Sequence, residues 1–296
     1  MPVSSRHILE QGSTLGALGR VLLNTLEQQV RGKQPTSAPV VPGRTLEASY
    51  PPRSSQLIRD YVQNVGGDPA AYAGTLPPHM FPQWGFGLAG RALEGLPYRM
   101  SRVLNAGCTY EVRAPIPSNE PLSVSARLES IDDDGRRALL QVRVITSTTS
   151  VKEALIADIF SLVPLASGDK KEGKKEQPRV PDDAKEVAFF EMGATAGLDF
   201  AKLTGDFNPI HWIPAAARAA GFPNVILHGF GTMARAIEGL NRGVLGGDVK
   251  RIKKWSCRFT KPMVLPAKAA LLVKGNEVFV GVAPGGPAYL VGSYET

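Results

Sequence analysis

Residues 84–96 read Trp-Gly-Phe-Gly-Leu-Ala-Gly-Arg-Ala-Leu-Glu-Gly-Leu, and residues 228–240 read His-Gly-Phe-Gly-Thr-Met-Ala-Arg-Ala-Ile-Glu-Gly-Leu. Eight of the thirteen positions are identical, among them Gly85/Gly229, Arg91/Arg235 and Glu94/Glu238. Chance rarely gives this, and a duplicated unit of about 110–120 residues is the simplest account. Each copy starts with glycines and continues with helix formers, so each predicts one buried helix, lean enough for a sheet to come close. Gly95 and Gly239 fall where a C-terminal cap is expected.

Working outward, strand patterns follow each helix. Leu122, Val124, Ala126 and Leu128 alternate with polar residues, as do Leu140, Val142 and Val144. That period of two marks half-buried strands, with Asp132-Asp133-Asp134-Gly135 as the turn between them. A further strand is expected over 151–165. The second copy repeats the plan over 268–274, 277–283 and 289–294, with turns at Gly275-Asn276 and at 284–287. One helix wrapped by antiparallel strands, twice over, predicts an α+β architecture. The organisation expected is an N-terminal helix and tether over 1–45, a degenerate repeat over 46–166, a linker over 167–182 and a catalytic repeat over 183–296.

The chain has 296 residues, 43% hydrophobic and 21% charged, with a net charge of +7. This suits a globular protein. No apolar run approaches the ~18 residues of a membrane span, and the N-terminus lacks a secretory signal pattern. The basic run at Lys170, Lys171, Lys174 and Lys175 is diluted by Asp169, Glu172 and Glu176 and carries no aromatics. It reads as a solvated linker rather than a nucleic-acid surface. Leu15 to Val30 carries apolar residues at helical spacing, and 34–43 reads as a tether. Cys108 and Cys257 form no metal or disulfide framework and predict buried thiols in a reducing cytoplasm.

The chemistry concentrates in Gly205-Asp206-Phe207-Asn208-Pro209-Ile210-His211. Pro209 disfavours helix at Asn208, so the carboxylate precedes a turn and the imidazole follows it. Two readings fit these residue types. Asp206 and His211 converge on one water as an acid–base pair, or Asp206 or Asn208 merely caps the next helix while His211 faces solvent.

This segment resembles the signature of the R-specific enoyl-CoA hydratases (hydratase 2) of the MaoC-like dehydratase family. Ala217, Gly221-Phe222, Ile226-Leu227-His228-Gly229 and Thr232-Met233-Ala234 extend the likeness over about 199–240, and the duplicated layout resembles the family's double hot-dog members over about 45–296. The resemblance implies reversible hydration of a trans-2-enoyl thioester to the (R)-3-hydroxyacyl thioester. Asp206 and His211 would be catalytic. Asn208 would position the water, and the Gly229 N–H would serve the thioester oxygen. His228 either lines the site or is a structural histidine. No metal and no cofactor are expected. The substrate would be carried on coenzyme A or acyl carrier protein, whose phosphates Arg251, Lys253 and Lys254 could meet. A homodimer is compatible with this plan. A hot-dog thioesterase and a non-catalytic acyl-binding subunit are the rival readings.

The first copy departs from the pattern. An Asp stands in Asn64-Val65-Gly66-Gly67-Asp68-Pro69-Ala70-Ala71-Tyr72, but no Asn-Pro-x-His follows, and Trp84 replaces His228. The first copy is therefore expected to be non-catalytic, with Thr75 to Trp84 shaping a tunnel for an acyl chain.

Overall fold

A computed structural model describes residues 3–12, 16, 39–100, 103–165 and 177–296. The helix expected over 15–30 (Gly16 apart), the tether over 34–38 and the linker over 167–176 lie outside the described residues.

Ten strands form one sheet: β1 (Leu46–Tyr50), β3 (Leu104–Val112), β5 (Leu122–Asp133), β6 (Arg137–Thr148), β7 (Leu155–Pro164), β8 (Lys185–Met192), β9 (Lys254–Phe259), β10 (Ala267–Lys274), β11 (Glu277–Gly281) and β12 (Ala288–Glu295). Their order, β1-β5-β6-β7-β3-β9-β12-β11-β10-β8, has five strands from each half, joined where β3 meets β9. Every pairing in it is antiparallel. A small two-stranded antiparallel sheet of β2 (Thr75–Leu76) and β4 (Ile116–Pro117) lies apart. At the β3–β9 seam Cys108 stands opposite Cys257, both buried and free, with sulfurs 4.0 Å apart.

Alternation drives these strands. Along β6 nearly every second side chain is buried, ending in Ala138, Leu140, Val142, Val144 and Thr146. Strand β5 runs five residues beyond the stretch predicted from its apolar alternation, because Asp132 and Asp133 still pair with Leu139 and Ala138. The turn narrows to Asp134, a left-handed Gly135 and Arg136.

The described residues include five α-helices: α1 (Ser55–Asn64), α2 (Pro82–Ala92), α3 (Ala196–Thr204), α4 (Pro214–Ala219) and α5 (Gly229–Gly243). Helix α2 packs on β1, β5 and β6, and α5 on β8, β10, β11 and β12. The two helices are less alike than their sequences. α2 starts at Pro82, whose fixed φ suits a first helical turn, and ends at Ala92, with Gly95 left-handed beyond it. α5 runs through Gly239 to Gly243, so Gly239 is not a cap. A Cβ on Gly239 would lie 2.9 Å from the Leu271 side chain and 3.1 Å from Ala188, so glycine there sets how closely helix meets sheet.

Candidate active site

Helix α3 carries the segment Gly205–His211 to its place and then stops. Gly205 takes the left-handed φ of 81° that a C-terminal residue favours, and its N–H bonds the Ala201 carbonyl. Asp206 follows. Its carboxylate accepts from the Asn208 N–H at 3.2 Å. Asn208 caps the short 3-10 turn Pro209–His211 through the Ile210 N–H, and its side chain is exposed. This turn brings His211 back, 8% exposed, toward Asp206. Gly197 lets the turn close on α3, since a Cβ there would lie 2.0 Å from the His211 carbonyl oxygen.

His228 completes the cluster from the N-cap of α5. Its ring stacks on that of His211, centroids 3.6 Å apart and planes 24° apart. His228 Nε2 donates to the Asp206 carbonyl oxygen at 2.9 Å and lies 3.9 Å from the Asp206 carboxylate. His211 Nδ1 donates to the Ile226 carbonyl at 2.8 Å, which leaves the His211 Nε2 lone pair free to accept a proton. Burial lowers the proton affinity of both rings. For His211 the Asp206 carboxylate and the Ile226 carbonyl partly offset this, and for His228 the neighbouring His211 adds to it. Both are neutral at pH 7, and His211 in that form is a base.

The start of α5 lies beside this cluster, since His228 is its N-cap. The first helical bond at this end runs from the Thr232 N–H to the His228 carbonyl, so the Gly229, Phe230 and Gly231 N–H groups have no partner among the described residues. Such orphan donors carry the positive end of the helix dipole and suit an oxygen that gains negative charge. Phe259 lies against Gly229, where a Cβ would come within 2.5 Å of its ring. Phe230 packs edge-on against Phe81, Phe86 and Phe259, giving this end an aromatic wall.

The structure therefore brings Asp206, His211 and His228 together, places Gly229 next in the chain, and leaves Asn208 holding the turn from outside. Ligand atoms of Asp206, His211 and His228 lie within 4.8 Å of one another, a carboxylate–imidazole set that some cations accept. His228 Nε2 is engaged by the Asp206 carbonyl, while its Nδ1 is buried without a partner among the described residues. Arg251, Lys253 and Lys254 sit before or at the start of β9, and Lys254 pairs with Glu295 at 2.9 Å. Phe259 ends the same strand, about 17 Å away at strand rise.

The first copy holds a different arrangement. Asp68 caps the 3-10 turn Pro69–Tyr72 through the Ala70 N–H, as Asn208 caps its own turn. Asp68 thus answers to Asn208, not to Asp206, whose place is taken by Gly66. The Glu238 carboxylate of α5 packs against Gly67, buried and bonded to Tyr72 at 2.7 Å, His79 at 2.9 Å and Asn241 at 3.3 Å. Met80, Phe81 and Trp84 are fully buried core residues, and Trp84 Nε1 donates to Thr146.

Residues 178–278 match the family model described as MaoC like domain. The chain is 27% identical over 182 residues to the peroxisomal enoyl-CoA hydratase 2 of Arabidopsis thaliana, which covers 57% of this chain and 59% of that protein. It superposes on the crystal structure of HtdX from Mycobacterium tuberculosis with a TM-score of 0.68 and 22% identity, over 85% of this chain and 99% of that one. A second Mycobacterium tuberculosis structure, described as a double hot-dog fold, superposes with a TM-score of 0.58 and 13% identity, over 86% of this chain and 96% of its own. The aligned part thus spans little more than half of the curated plant relative. The fold is the double hot-dog, and residues 178–278 within it match the MaoC like domain.

Proposed function

We propose that the protein hydrates trans-2-enoyl thioesters to (R)-3-hydroxyacyl thioesters, and runs the reverse dehydration, in fatty-acyl metabolism. The observation that carries this reading is the Asp206 carboxylate within 4.8 Å of a neutral His211, beside the amides that open α5 and have no partner among the described residues. In hydration a water between the two side chains gives its hydroxyl to C3 and a proton to the pair, and the pair returns one proton to C2. The thioester oxygen gains negative charge as C3 is attacked, and the Gly229 N–H meets it, which is worth ~3–4 kcal/mol for one such donor. Asn208 holds the turn that fixes the pair, and His228 backs His211 and the Asp206 backbone. The R configuration is carried over from the family resemblance. The reaction so written draws on no metal and no redox cofactor.

The thioester would be carried by coenzyme A or acyl carrier protein. The two free thiols at the β3–β9 seam favour a reducing compartment, which we take to be the cytoplasm. Among the described residues no helix is long and apolar enough to cross a membrane.

The test is a pair of assays on enoyl-CoA substrates from crotonyl to long-chain. Loss of enoyl absorbance without release of free thiol is the expected result. Thiol release from acyl-CoA would point to a thioesterase instead, and binding without turnover to an acyl-binding subunit.

A further inference from the structure

The N-terminal residues lie outside both repeats, yet they run into the core beside the catalytic turn. Residues Ser5–Gln11 form a 3-10 helix capped by Ser4, and His7 and Gln11 within it are fully buried. A buried amide must find partners, and Gln11 has three. Its Nε2 donates to the Lys202 carbonyl at 3.3 Å and the Leu203 carbonyl at 3.1 Å, and its Oε1 accepts from Gln83 Nε2 at 2.9 Å.

The two carbonyls identify the role. In a continuing helix, Lys202 and Leu203 would accept from the N–H groups of residues 206 and 207. Here the chain leaves the helix at Gly205. The Asp206 N–H turns to Thr204 Oγ1 and the Phe207 N–H to the Gly205 carbonyl. The bend that aims Asp206 at His211 thus costs α3 two internal bonds, and the Gln11 amide replaces both. The first copy needs no such help. At the end of α1 the Tyr61, Val62 and Gln63 carbonyls accept from Val65, Gly67 and Gly66 of their own chain.

Further contacts fix the segment in place. The Val3 N–H donates to Asp199 and its carbonyl accepts from Lys202 Nζ at 3.0 Å, both on α3. His7 meets Asp60 of α1 at 2.7 Å through Nε2 and Glu10 at 3.2 Å through Nδ1. Gln83, the partner of Gln11, stands in the first turn of α2 and is itself bonded by Arg53. The segment reaches both halves of the molecule at the level of the reacting groups.

We propose that residues 3–12 are a strap that holds the catalytic turn, and that Gln11 is its positioning residue for Asp206. The proposal rests on the hydration reading for its kinetic effect but not for its structural one. Without the Gln11 amide the turn is free to slide back toward helix, which draws the Asp206 carboxylate away from His211. The strap acts on the placement of the reacting group and not on the thioester, so its loss falls on kcat rather than on KM.

The test uses the full chain with Gln11→Met, which keeps the volume and removes the amide. Two readings are taken: crotonyl-CoA hydration, and hydrogen exchange at the amides of residues 205–211. Expected are a kcat about 10- to 100-fold below the unsubstituted chain, the cost of a small misplacement, a KM near that of the unsubstituted chain, and faster exchange confined to the turn. A folded Gln11→Met with unchanged kcat and unchanged exchange overturns the proposal. If Gln11→Met does not fold, Lys202→Met, which removes the Nζ contacts to the Val3 carbonyl and to Asp199, is read in the same way. Faster exchange over 205–211 in that variant supports the strap, and unchanged exchange overturns it. If the unsubstituted chain hydrates no enoyl thioester, the hydration reading fails while the exchange comparison still decides the strap.

Discussion

The two copies share a backbone device and differ in what it is used for. In each, a helix ends near a left-handed glycine, Gly66 or Gly205, and an Asx residue, Asp68 or Asn208, caps a 3-10 turn that begins with proline. The second copy adds a carboxylate three residues before that proline and an imidazole two residues after it. The first has Gly66 and Ala71 there. The helix starts differ in the same sense. In α2 the Gly85 N–H bonds the Phe81 carbonyl at 2.8 Å, because the helix begins early, at Pro82. In α5 the Gly229 N–H is left unpaired among the described residues, because His228 caps rather than continues the helix. One copy spends its helix amides on itself, and the other leaves them for a ligand. Fold and chemistry are therefore separable here: the capped turn keeps the shape, while the side chains set into it decide the activity.

The largest expected effect comes from removing either reacting group. His211→Ala should lower enoyl hydration by ~10²–10⁴-fold, the usual worth of a general acid or base, with unchanged circular dichroism. Next is Gly229→Ala. The new methyl meets the Phe259 ring, and the rate should fall about 10- to 100-fold as the helix start shifts, while Gly74→Ala, whose added methyl meets nothing, leaves turnover unaltered and costs only stability through its φ of 76°.

Acid sharpens the comparison further. Burial lowers both His211 and His228 from the ordinary 6.5. The unfolded chain then binds more protons than the folded one below about pH 6.5, so the stability these neutral rings allow is present above that value. It is lost as pH falls toward their folded-state values. The acid limb of kcat/KM should accordingly lie below pH 6.5, and a limb above it would contradict the neutral His211 described here. The smallest effect is on a cap. Asp68→Ala should cost about 1 kcal/mol in denaturant unfolding and leave turnover near that of the unsubstituted chain, whereas Asn208→Ala should reduce turnover as well.

Much of this was legible in residue order. The repeated Gly-Phe-Gly…Arg-Ala-x-Glu-Gly-Leu marks both central helices, and period-two alternation finds the long strands, because both signals are local. Gly-Asp-Phe-Asn-Pro-Ile-His locates the turn, because proline disfavours helix at the residue before it, whereas the choice of Asp206 and His211 as a pair rests on the family resemblance. Other features depend on contacts that no local pattern records. The repeated Arg–Glu pair looks equivalent in the two copies, but Glu94 is exposed and Glu238 is buried against His79 and Tyr72. Arg235 is buried too, its guanidinium on the Gly231 and Asn64 carbonyls and its pKa pushed down to about 10 by burial. The role of Gln11 is equally silent in sequence, since it depends on carbonyls some 190 residues away.

The most direct measurement sets Asp206→Asn beside Asp68→Asn and the unsubstituted chain in one enoyl-thioester absorbance assay. The account predicts full hydration by the unsubstituted chain and by Asp68→Asn, and almost none by Asp206→Asn. Equal losses in the two variants, or turnover surviving in Asp206→Asn, would contradict the assignment of the chemistry to the second turn.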